Sequence, residues 1–116
     1  MTTTELGRQA EQIVCRYFED LGAVILEQNL RVKKHEIDLI IDLKGLLVVV
    51  EVKMRRSNQF GRPREHLHSD QFYRIASAYE WWARGKKFWD REVRFDLIEY
   101  YPRDNKLVHL EDAFRP

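Results

Sequence analysis

The sequence predicts a single α/β domain spanning residues 1–116, a mixed central sheet flanked by helices. Three observations carry this reading. Two segments, near residues 6–21 and 72–83, repeat apolar residues at helical spacing. Between them an alternating run and a Val-rich run meet at Lys44-Gly45. A third run, after the second helical segment, alternates again. The expected order is helix, three strands, helix, two strands.

In the first helix Leu6, Ala10, Ile13, Val14, Tyr17, Phe18 and Leu21 form one apolar stripe. Thr2 and Glu5 suit a capping box, and Gly22 suits a stop. Ala23 to Leu26 reads as a short strand, followed by a polar, basic connection from Gln28 to His35. Glu36 to Leu43 alternates, with Ile37, Leu39 and Ile41 expected on one face and Glu36, Asp38 and Asp42 on the other. Lys44-Gly45 is a hairpin turn, and Leu46 to Met54 is a central strand. Ser57 to Arg64 is a loop with Gly61 and Pro63. The second helix is expected from about Glu65 to Arg84, with Phe72, Ile75, Ala76, Tyr79, Trp82 and Ala83 inward. Trp81, off that stripe with Arg74, Ser77 and Ala78, is expected to be partly covered by a neighbouring loop. Val93 to Tyr100 and Leu107 to Leu110 are the last strands.

Composition limits function. A chain 34% charged and 44% hydrophobic, with mean hydropathy −0.56, is neither disordered nor a bundle of membrane spans. The longest strongly apolar run, Leu46 to Val50, is far short of the roughly 20 residues a spanning helix needs. The formal net charge is +1, so a basic footprint must be local. Residues 31–64 supply one: nine cations stand against four carboxylates. Solubility alone accounts for such a run equally well. The single cysteine, Cys15, forms no internal disulfide and suits a reducing, cytoplasmic setting; no signal peptide is visible.

The chemistry lies in Glu36-Ile37-Asp38-Leu39-Ile40 and Val50-Glu51-Val52-Lys53. Residues two apart on a strand share a face, so Glu51 and Lys53 point together. The Lys44-Gly45 hairpin sets their strand beside that of Asp38. Buried unpaired charge is costly, and two adjacent carboxylates repel until one holds a proton. A hard divalent cation removes both penalties. An Asp38–Lys53 or Glu51–Lys53 ion pair is the other reading, and for an isolated E-x-K it is the commoner case.

With these residues the chain resembles the PD-(D/E)xK nuclease superfamily and, more closely, the bacterial YraN-like family with its restriction endonuclease-like α-β-β-β-α-β core. The matching pieces are Gly7-x-x-Ala10-Glu11, Asn29-x-Arg31, Glu36 to Ile40, Val50 to Lys53 with Arg55, Phe60-Gly61-x-Pro63 and Arg94-Phe95-Asp96. The resemblance implies Asp38 and Glu51 as ligands of Mg²⁺ or Mn²⁺, Lys53 as the catalytic lysine and Glu11 as a further acidic ligand. It also implies DNA, branched or single-stranded, as substrate. Arg31, Lys33, Lys34, Arg55, Arg56, Arg62 and Gln71 are candidate DNA contacts. His35 stands where the family usually has glycine, and Gln71 where it usually has lysine. Homodimers are common in this architecture, and no interface is fixed by the sequence.

A nuclease-like fold that binds nucleic acid without cutting is the alternative. His66 and His68 diverge on a helix and make a poor zinc pair, while Cys15 reads as a packing residue. Phosphate-cradle, metalloprotease and serine-hydrolase motifs do not occur.

Overall fold

The computed structural model describes residues 3–55 and 69–114. The elements are α1 (Thr3–Asp20), β1 (Ala23–Val32), β2 (His35–Leu43), β3 (Leu46–Met54), α2 (Ser69–Gly85), β4 (Val93–Tyr101) and β5 (Lys106–Leu110). The strands form one sheet in the order β1-β2-β3-β4-β5. β3 and β4 are parallel, since α2 carries the chain between them, and every other pair is antiparallel. This is the expected mixed α/β architecture. The expected capping box at Thr2, the 57–64 loop and the helix start near Glu65 fall outside the described residues.

The helices cover opposite faces. On the α1 face Val14 and Phe18 pack with Leu39, Ile41, Val48 and Val50. On the α2 face Ile75, Tyr79 and Trp82 pack with Ile37, Ile40, Leu47 and Val49. Val48, Val49 and Val50 are all essentially inaccessible, so β3 is buried on both sides, as a central strand requires. Lys44 and Gly45 both take positive φ, as a tight two-residue hairpin needs.

Five expectations are corrected. Strand β1 runs on to Val32, so the polar connection is only the Lys33-Lys34 turn. An edge strand with one wet side needs few apolar residues, and the hydrogen-bonded register to β2 defines it despite a bulge between Ile25 and Glu27. The alternation in β2 fails: Ile37 packs on the α2 face, whereas Leu39 and Ile41 pack on the α1 face. Leu21 lies beyond α1 and is 44% exposed. Ala78, placed off the α2 stripe, is buried, because it stands three residues after Ile75 and four before Trp82, on the same face of the helix. Trp81 is not covered; it is 58% exposed.

Candidate active site

The break in the β2 alternation builds the site. The β2–β3 ladder ends at the pair Leu39↔Val50. β3 continues against β4 as far as Met54↔Tyr100, while β2 continues against β1 through Leu30↔Ile37. The two strands therefore part at Asp38. In the opening Asp38 Oδ2 accepts the Val52 backbone N–H at 2.9 Å, replacing the strand partner that β2 no longer provides.

Glu51 reaches into the same opening, and the two carboxyl groups meet. Its side chain is 12% exposed. Burial, a hydrogen bond with Asp38 and the Asp38 charge push its pKa up to about 8, against the weaker pull of Lys53. Glu51 therefore holds a proton at neutral pH, next to Asp38. Lys53 Nζ stands 3.8 Å from Glu51 Oε1, so the E-x-K face is shared as expected. The cation contact and the carboxyl pair thus coexist.

Glu11, from α1, lines a narrow cleft together with Val14, Cys15, Gln28, Asp38 and Val52. Asn29 Nδ2 donates to Glu11 Oε2 at 3.0 Å. Asn29 adopts φ +50°, a left-handed conformation that Asn tolerates better than most residues. Among the described residues no three His, Cys, Asp or Glu side chains converge as a ready ligand set. Cys15 is buried, and burial followed by the charges of Glu19 and Glu11 pushes its thiol up, as suits a packing residue.

The candidate DNA contacts separate. Arg31, Lys33 and Lys34 are exposed around the β1–β2 turn. Arg55 is held by Glu99 at 3.1 Å, and Gln71 is half-buried in the first turn of α2. Arg56, Arg62, His66 and His68 lie outside the described residues.

A second polar cluster was not assigned a role from sequence, although Arg94 and Asp96 belong to the quoted motifs. Asp96 is fully buried. Its carboxylate accepts from Arg94 Nε and Nη2, both at 2.8 Å, and from the Asp112 backbone N–H at 2.9 Å. His109 Nε2 lies 2.7 Å from its Oδ2, and Tyr17 Oη lies 2.8 Å from His109 Nδ1. Burial would raise the Asp96 pKa, but His109, Arg94 and Asp112 together hold it below the usual range. The alternation Arg94-x-Asp96 was the available signal; the partners, 13 and 16 positions downstream, were not.

A mixed sheet between two helices, split where two strands diverge and carrying an acidic pair beside a lysine, defines the class: a compact α/β protein with an acidic cleft. Residues 10–99 match the model of the uncharacterised protein family UPF0102. The chain belongs to that family, the YraN-like family its motifs resemble. It is 34% identical over 112 residues to a UPF0102 protein of Flavobacterium psychrophilum, covering 95% of this chain and 93% of the relative. It is 32% identical over 114 residues to one of Clostridioides difficile, covering 98% and 100%. No helix among the described residues is long and apolar enough to cross a membrane.

Proposed function

We propose that this protein is a Mg²⁺- or Mn²⁺-dependent phosphodiesterase acting on DNA, endonucleolytically and in the cytoplasm. The observation that carries the reading is the placement of Asp38 and Glu51 where β2 leaves β3, with Lys53 Nζ 3.8 Å from Glu51 Oε1. Two neighbouring oxygen donors in a largely buried opening, one of them holding a proton, suit a hard divalent ion, which would replace that proton. Asp38 and Glu51 would hold the ion, with Glu11 as a third donor from across the cleft. The ion would supply a nucleophilic water at neutral pH and offset charge developing on the phosphate.

The chain's own residues divide the remaining work. Asp38 is oriented by the Val52 N–H. Lys53, one-third exposed, can direct its ammonium at an attacking water or a phosphate oxygen. Asn29 holds Glu11 at the cleft.

The test is cleavage of branched and single-stranded DNA by purified protein with Mn²⁺, Mg²⁺ or chelator. Metal-dependent cutting that Asp38→Ala and Lys53→Ala both abolish supports the reading. Intact DNA with wild-type protein and either ion overturns it and leaves the binding-only alternative.

A further inference from the structure

We infer that the outer face of α2 is a binding surface for single-stranded nucleic acid, with Trp81 as its stacking platform and Lys33, Arg74 and Arg84 as its phosphate contacts. The inference stands apart from the proposed hydrolysis, since it uses none of the cleft residues.

Residues 74, 77, 81 and 84 follow helical spacing, so Arg74, Ser77, Trp81 and Arg84 make one line along α2. Arg74, Ser77, Trp81 and Arg84 are all exposed. The buried neighbour Trp82 is fully engaged in the fold. It packs in the α2-face core and donates its indole N–H to Glu27 Oε2 at 2.9 Å. Trp81 has no comparable contact among the described residues, and leaving an indole 58% exposed gains the core nothing.

The β1–β2 hairpin turns this line into a groove. Val32, Lys33 and His35 face Ser77, Ala78, Glu80, Trp81 and Arg84 across about 310 Å³. Lys33 sits at φ +57°, so the turn presents its cation from a defined position. Lys33, Arg74 and Arg84 form no ion pair among the described residues. Among the described residues Glu80 is the one carboxylate in the groove wall, and Asp70 lies about three turns from Trp81 along the helix. An indole flanked by unpaired cations is complementary to a polyanion with exposed aromatic faces. Unpaired bases offer such faces; a duplex hides them.

The test is fluorescence anisotropy of a labelled oligothymidylate of about 15 nucleotides, in chelator so that nothing is cut, over a salt series. Wild type should bind, and Trp81→Ala should weaken binding about tenfold while Trp81→Phe keeps most of it. Lys33→Ala/Arg84→Ala should flatten the slope of log affinity against log salt by about 1.4. Circular dichroism checks each variant's fold; should Trp81→Ala fail to fold, Trp81→Phe and the salt slope decide. No wild-type binding, equal affinity for a duplex of the same length, or unchanged binding by folded Trp81→Ala each overturns the inference. So does a monomer–dimer shift on replacing Trp81 with no oligonucleotide affinity, which would mark the face as a self-association surface. Cleavage is read separately with Mn²⁺, so the failure of one reading leaves the other standing.

Discussion

Glu51 sits beside Asp38 in the opening between β2 and β3, and burial together with this neighbouring carboxylate sets the electrostatics of the cleft. Its cost appears in the metal-free protein. Glu51 is raised from 4.5 to about 8 on folding, so the folded state binds more protons than the unfolded state between those values. That contribution is fully present below about 4.5 and is lost as pH rises through about 8. Glu51→Gln should therefore raise the Tm at pH 8 and leave it nearly unchanged at pH 4.5, as read by calorimetry in chelator. Asp38→Asn should lower the Glu51 pKa, since a like charge and an acceptor are removed; carboxyl NMR titration reports it.

Ion binding should depend on the same proton. Mn²⁺ must displace it, so affinity should tighten as pH rises from 6 toward about 8, with proton release. Calorimetric titration in two buffers of different ionisation enthalpy measures that release. A pH-independent affinity would mean that the ion, if bound, sits elsewhere.

For catalysis, Asp38→Ala and Lys53→Ala should each lower the cutting rate at least about a hundredfold, the usual scale for a preorganised electrostatic contact. Lys53→Ala should leave Mn²⁺ affinity nearly intact, whereas Asp38→Ala should abolish it. Equal losses of affinity in both would assign Lys53 a structural role.

Asn29→Gly separates positioning from folding. Glycine accepts φ +50° without strain, so stability should change by less than about 1 kcal/mol, although the hold on Glu11 is lost. Mn²⁺ affinity should fall if Glu11 is a donor. An unchanged affinity removes Glu11 from the ligand set.

The Asp96 cluster joins β4, β5 and α1 through buried charge. Asp96→Ala strands Arg94 and His109 and should cost about 3 kcal/mol in chemical denaturation. Because the Asp96 pKa is lowered on folding, its contribution is present above 3.8 and fades as pH falls through the lower folded value. The wild-type and Asp96→Ala stabilities should therefore converge in acid.

Much of this was legible in the chain itself. The apolar periods of α1 and α2, the valine run of β3 and the Lys44-Gly45 turn determined the order of elements, because burial and turn geometry act within a few residues. The E-x-K spacing likewise put Glu51 and Lys53 together. Only the tertiary structure decided that β2 leaves β3 at Asp38, that Glu51 sits beside it there, that Asp96 draws its partners from β5 and beyond, and that Trp81 is 58% exposed. Each is a relation between segments distant in sequence, set by strand register and by how α2 packs on the sheet. Residue spacing along the chain carries no record of either.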